Sequence, residues 1–171
     1  YYASDEDRKN RRRSAITDGA YDKPWTFRYK DIVGWWSNTH HNRIGGVEIS
    51  TPTAWVPCGK PIWLAELGCP AIDLGPNQPN VFPDPKSSES ASPHFSSGGR
   101  SDLAQQRFLE VHGRYWDPDD PAFEEAANPI SAAYGGRMVD PSRLYVWCWD
   151  ARPYPAFPLL RDAWSDGDNW S

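Results

Sequence analysis

Apolar residues fall along this chain in short bursts separated by long polar and proline-rich stretches, and the bursts differ in period. The clearest is Lys60-Pro-Ile-Trp-Leu-Ala-Glu-Leu-Gly, apolar at nearly every position and bounded by Gly59 and Gly68. That pattern predicts a strand buried on both faces, as in a parallel sheet. Ser142-Arg-Leu-Tyr-Val-Trp-Cys-Trp-Asp predicts a second buried strand. Between them, Ser101 to Trp116 carries helical spacing, with Leu103, Phe108, Leu109, Val111, His112 and Tyr115 on the expected apolar face and Ser101 as its cap. Strand, long loop, helix, strand is a βαβ unit, which implies parallel strands joined by a right-handed crossover.

The remaining segments are weaker. Ser4 to Arg13 reads as a short polar helix capped by Ser4, and Tyr29 to Ser37 as one or two helical turns burying Ile32, Trp35 and Trp36. His40 to Pro57 is expected to be loop or irregular strand. The stretch from Pro70 to about Gly99, dense in Pro, Asn, Ser and Asp, predicts a long loop. Loops of that length are usually functional or disordered; Val81, Phe82, His94 and Phe95 predict ordered packing over the domain edge. A second irregular stretch runs from Asp117 to Pro141, and no internal repeat is visible.

Composition narrows the classes. The 171 residues suffice for one domain with a core. The net charge of −5 argues against a nucleic-acid partner, which needs a clustered basic surface. The one basic run, Arg11-Arg12-Arg13, follows Ser4-Asp5-Glu6-Asp7 in the order a helix dipole favours, so a solvated helix is the expectation there. No apolar run is long enough to span a membrane. Three cysteines, Cys58, Cys69 and Cys148, give neither a disulfide framework nor zinc-like spacing. Neither a metal nor an organic cofactor is expected. Ten tryptophans are unusual, and rings at that density form either packed core or a stacking surface of the kind carbohydrate sites use. The start at Tyr1 without methionine and the finish after a Trp-Ser-Asp-Gly-Asp-Asn-Trp run lead us to expect part of a longer protein.

In barrels of parallel strands the working residues sit where strands end and loops begin. Glu66 sits there on the first strand, and Trp147, Trp149 and Asp150 on the second. A carboxylate closing an apolar run is costly to bury unless paired or used, which separates Glu66 from the acids in polar surroundings. Periodicity alone leaves two readings of Glu66 open: a functional group, or a salt-bridged or solvent-reaching strand end.

Longer strings carry a resemblance. Lys60-Pro-Ile-Trp-Leu-Ala-Glu-Leu-Gly-Cys-Pro-Ala-Ile-Asp, Asn77-Gln-Pro-Asn-Val-Phe, Asp84-Pro-Lys-Ser-Ser-Glu-Ser, Tyr134-Gly-Gly-Arg-Met-Val-Asp-Pro and Trp147-Cys-Trp-Asp-Ala-Arg-Pro-Tyr-Pro-Ala-Phe-Pro are distinctive. Together with Trp35-Trp36-Ser37-Asn38 and Trp164-Ser-Asp-Gly-Asp-Asn-Trp, they resemble the glycoside-hydrolase TIM-barrel-like domain of gene transfer agent and phage tail hub proteins. The resemblance runs through essentially the whole chain. A complete (β/α)8 unit takes about 250 residues. It therefore implies an α/β fold that is the C-terminal part of a TIM barrel, roughly strands seven and eight with flanking helices, incomplete in this chain.

It also implies chemistry. Retaining glycosidases on this barrel place a nucleophilic Glu at the end of strand seven, followed by a hydrophobic residue and Gly, and Glu66-Leu67-Gly68 is similar. An aromatic platform often ends strand eight; Trp147 matches best, then Trp149, with Asp150 and Arg152 close by. The acid/base partner comes from strand four and lies about 5 Å from the nucleophile. No acid here takes that role; Glu89 and Asp150 are the nearest candidates. The isolated chain is therefore expected to be inactive. The implied partners are cell-envelope polysaccharide or peptidoglycan and other tail or baseplate proteins, in a phage-like particle assembled in the bacterial cytoplasm. The alternative is a non-catalytic structural or glycan-binding tail module, since fold does not fix function.

Other signals have plainer readings. His40-His41 can bind metal or sugar but suits a structural loop, and Asp166-Gly-Asp-Asn lacks the spaced ligands of a calcium loop. Asn169-Trp-Ser fits a glycosylation sequon, though so short a match is weak. Arg137 and Arg152 can meet acidic sugars or pair with local Asp residues. Cys69 has no evident activator and reads as a buried thiol.

Overall fold

The computed structural model describes residues 1–81, 83, 88, 90–147 and 159. It is a mixed α/β structure with two two-stranded sheets, and no barrel closes among the described residues. The chain divides into two compact units, one of Tyr1–Ile62 with Glu125–Met138, the other of Trp63–Glu124 with the chain from Val139 onward.

The first unit begins with helix α1 (Asp5–Lys9), capped by Ser4, whose hydroxyl accepts from the Asp7 N–H. Helix α2 (Ile32–Ser37) is capped by the Asp31 carboxylate, which accepts from the Gly34 N–H. Its burial differs from the expectation: Trp36 is buried, Ile32 is half-buried and Trp35 is exposed. Trp36 is fixed because its indole N–H donates to the Lys60 carbonyl at 2.9 Å.

Where loop or irregular strand was expected, an antiparallel hairpin forms from β1 (His41–Ile44) and β2 (Val47–Pro52). Gly45 and Gly46 make its turn with φ of +57° and +83°. Two consecutive left-handed residues are the signature of a tight hairpin turn, and glycine adopts them without penalty. The hairpin holds the Asp18–Thr26 connection through a charge cluster. Arg43 is bidentate to Asp18 at 2.6 and 3.1 Å, and Lys23 reaches Glu48 at 2.5 Å. The Arg43 guanidinium also lies over the Tyr21 ring, and the Tyr21 hydroxyl accepts from the Glu48 N–H.

The 125–138 segment is pinned to this unit by Ser131, fully buried, whose hydroxyl donates to the Cys58 carbonyl at 2.6 Å. Met138 is fully buried, and its carbonyl accepts from Ile62 N–H at 2.7 Å.

The second unit contains the βαβ segment. Strands β3 (Ile62–Leu67) and β4 (Val139–Val146) pair in one sheet, with helix α3 (Asp102–Trp116) between them in sequence and packed against β4. The Ile62 N–H donates to the Met138 carbonyl where the strands begin, and the Trp147 N–H donates to the Leu67 carbonyl where they finish, so the two run parallel. β4 starts three residues earlier than Ser142 and takes in Pro141, tolerated because among the described residues each strand of this two-stranded sheet is an edge strand.

Neither strand is buried on both faces. Trp63, Ala65 and Glu66 of β3 are exposed, as are most residues of β4. The apolar run anticipates neighbours that the two-stranded sheet lacks among the described residues. Helix α3 is similarly rotated from the expected face. Its inward stripe is Ala104, Phe108, His112 and Trp116 with Gln105 and Leu109, while Leu103, Val111 and Tyr115 are exposed. The stripe has strict i, i+4 spacing.

Candidate functional site

Glu66 is the penultimate residue of β3, and the pleat decides its direction. Successive side chains alternate across a strand. Leu67, on the opposite face, is buried at 7 % exposure, whereas Glu66 is exposed although it shares its face with the half-buried Ile62 and Leu64. Among the described residues no hydrogen-bond donor or cation engages it, so the structure does not lock Glu66 into a salt bridge.

Trp147 follows β4 immediately, and its backbone N–H donates to the Leu67 carbonyl at 2.9 Å. That bond sets the ends of the two strands level, placing Trp147 beside the strand end that carries Glu66. The Trp147 ring is half exposed. Lower on the same sheet, Arg143 lies over the Trp63 ring at 5.0 Å. Trp149, Asp150 and Arg152, together with Glu89, Cys148, Phe82, the Asp166-Gly-Asp-Asn run and Asn169, lie outside the described residues.

The loop leaving Glu66 is fastened by polar groups that sequence reasoning missed. Gln105 of α3 donates to the Cys69 carbonyl at 2.9 Å, and the Ser101 N–H donates to the Ala71 carbonyl at 2.8 Å. Asp73 collects the Ser97 N–H and the Ser96 and Ser97 hydroxyls at 2.9–3.1 Å. These bonds, led by the Ser97 N–H, hold its carboxyl below the usual carboxylate range. Further along, Asn77 donates to the His94 carbonyl and the His94 N–H donates to Gln78. The two ends of the long connection are therefore stitched together. The one available signal was Ser96-Ser97-Gly98-Gly99, a run of small donors opposite a lone Asp.

Several weaker candidates resolve into structural roles. The His40 ring stacks on Trp55 at 5.4 Å and 15°, and its Nε2 meets the Trp35 carbonyl at 2.7 Å. His41 Nδ1 meets the Ile49 carbonyl. Among the described residues no group of three or more His, Cys, Asp or Glu side chains is placed to hold a metal ion. Arg137 is bidentate to Glu125 at 2.5 and 2.8 Å and also donates to the Asn128 carbonyl, so a Glu is among its local partners. Cys69 is a buried free thiol whose pKa burial pushes up, the opposite of what a nucleophile needs. Among the described residues no helix is long and apolar enough to cross a membrane.

The model of one family, the GTA TIM-barrel-like domain, matches residues 1–158. The chain belongs to that family. No curated protein matches it. As a GTA TIM-barrel-like domain, it presents β3 and β4 as two parallel barrel-type strands with α3 in the crossover between them. Glu66 and Trp147 stand where such strands hand over to their loops.

Proposed function

We propose that this GTA TIM-barrel-like chain supplies strands seven and eight of a (β/α)8 barrel. The ends of those strands form part of a glycan site in the tail hub of a gene transfer agent or phage-like particle. One observation carries the reading: the Trp147-to-Leu67 hydrogen bond sets the two strand ends level, with Glu66 exposed and unpaired among the described residues. Catalytic residues on barrels of parallel strands come from different strands at this end.

In this proposal Glu66 is the nucleophile of a retaining glycosidase. Its ionised carboxylate attacks the anomeric carbon through an oxocarbenium-like transition state. A second carboxyl, supplied by strand four about 5 Å away, protonates the leaving oxygen and later activates water. Trp147 is the sugar platform, and Trp149, Asp150 and Arg152 extend the substrate contacts. The substrate class is cell-envelope polysaccharide or peptidoglycan, met by a particle whose other tail or baseplate proteins are its neighbours.

A second reading, a non-catalytic structural or glycan-binding tail module, is favoured by one observation. The acids on the two strands are Glu66 and Asp140, and Asp140 sits at the start of β4, where it bonds Ser142. No second carboxylate ends either strand among the described residues, and one carboxylate cannot complete the retaining cycle.

The test is Glu66→Gln in the complete tail protein, assayed on purified peptidoglycan and envelope polysaccharide. The nucleophile reading expects hydrolysis to fall by several orders of magnitude with glycan binding retained. Unchanged hydrolysis rejects that role. Binding without hydrolysis by the unsubstituted protein establishes the second reading.

A further inference from the structure

A separate cleft of about 780 Å³ opens in the first unit, between the Pro24–Thr26 turn, α2 and the residues that lead into β3. This lies within the range of small-molecule sites, roughly 300–1,000 Å³. Its walls are four aromatic rings, Trp25, Tyr29, Trp35 and Trp55, with Arg28 and Lys60 among them. None of these belongs to the strand-end site.

The three tryptophan rings are held in place before any ligand arrives, while Tyr29 stands exposed at the rim. Trp35 and Trp55 meet at 4.7 Å, and His40 packs behind them, 4.7 Å from Trp35, 5.4 Å from Trp55 and 5.2 Å from Trp25. The His40 ring is tied to the Trp35 carbonyl, and Trp36, the next residue, is anchored to the Lys60 carbonyl. Fixed rings lose little freedom on binding, which favours affinity. Tyr29 is 81 % exposed and Trp35 41 %, a high cost for rings with only a packing role.

The charges select the ligand. Lys60 Nζ lies 5.7 Å from the Trp55 ring centroid, and Arg28 spends its Nε–H on the Ile16 carbonyl. Among the described residues neither has a carboxylate within 4.0 Å. Two uncompensated cations beside electron-rich ring faces suit a ligand with polarised C–H faces and a carboxylate of its own. We propose that this cleft binds an acidic saccharide, one whose pyranose faces stack on Trp35 and Tyr29 while its carboxylate meets Lys60 and Arg28. A polynucleotide also stacks on aromatics, but it needs a basic track, and the chain carries a net charge of −5.

Intrinsic tryptophan fluorescence and calorimetry of the 171-residue chain with trigalacturonate test this, with maltotriose and hexathymidylate as comparisons. Saturable binding of trigalacturonate is expected, stronger than that of maltotriose and weakened by salt. Tyr29→Ala, at a solvent-facing ring that the fold does not need, weakens it about fivefold, and Lys60→Gln removes the preference for the acidic sugar. Trp147→Ala, which removes the ring proposed as the strand-end platform and lies outside the cleft lining, leaves this binding unchanged, so this site stands or falls separately from the strand-end reading. The proposal is overturned by no binding, by equal binding of the neutral sugar, by preference for hexathymidylate, by wild-type affinity in both cleft variants, or by loss of binding in Trp147→Ala.

Discussion

At the scale of single residues, the polar groups divide into those that are engaged and those left open. Asp18 is among the engaged ones. Its carboxylate receives both arms of Arg43 and the Lys23 N–H, and the Arg43 hydrogen bonds foremost lower its pKa to about 2. A carboxyl depressed in the folded state contributes stability that is fully present above its unfolded pKa, about 3.9. That contribution is lost as pH falls through about 2. Thermal melts of wild type and Asp18→Asn should therefore differ by a constant interval above about pH 4 and converge as pH approaches 2. An interval that persists unchanged to the acid limit would show that Asp18 acts through shape and not charge. Glu66 is the opposite case. Its exposure is compatible with catalysis and with binding alone, so the distinction rests on chemistry supplied from elsewhere in the barrel.

At the scale of elements, helix α3 shows how local rules and packing share the work. Ser101 caps it by accepting the Ala104 N–H, and Asp102 sits in the first turn where the dipole favours an acid. Ser101→Ala should cost about 1 kcal/mol in a urea melt, with a matching loss of helical signal. No change would mean that Gln105 and the Ser101 N–H, which hold the loop after Glu66, carry the helix start unaided. The caps at Ser4 and Ser101 were legible in the sequence because capping depends on neighbouring residues alone. The hairpin had an equally local signal in Gly45-Gly46, but apolar alternation supports only its second strand, Val47-Glu48-Ile49-Ser50, because His41-Asn-Arg-Ile carries a single apolar residue.

At the scale of the whole molecule, much apolar surface is unspent. Leu103, Val111 and Tyr115 on α3 and Trp63, Tyr145, Val146 and Trp147 on or beside the strands are exposed to between 44 % and 62 %. Surface of this kind marks a place where further structure docks. If the chain completes a barrel, the isolated 171 residues should bind a hydrophobic dye such as anilinonaphthalene sulfonate, and the complete domain should not. They should also show no turnover of aryl-glycosides. Dye binding of equal strength by the complete domain would mean that these faces stay open, and turnover by the isolated piece would remove the need for a carboxylate from strand four.

Neighbours along the chain were enough to set the serine caps, the helix in the crossover, the apolar runs that became parallel strands, and the long distinctive strings in which family membership is written. Which side of each element is covered came only from packing between distant parts of the chain. Burial depends on what packs from elsewhere: the inward stripe of α3, the exposed faces of β3 and β4, and the meeting of Trp25, Trp35, His40 and Trp55 around one cleft. An apolar run records that a strand is meant to be covered, and a pleat records which residues share a face. Neither records whether the covering element is present, and here that separates a strand with buried faces from one whose terminal carboxylate stands in solvent.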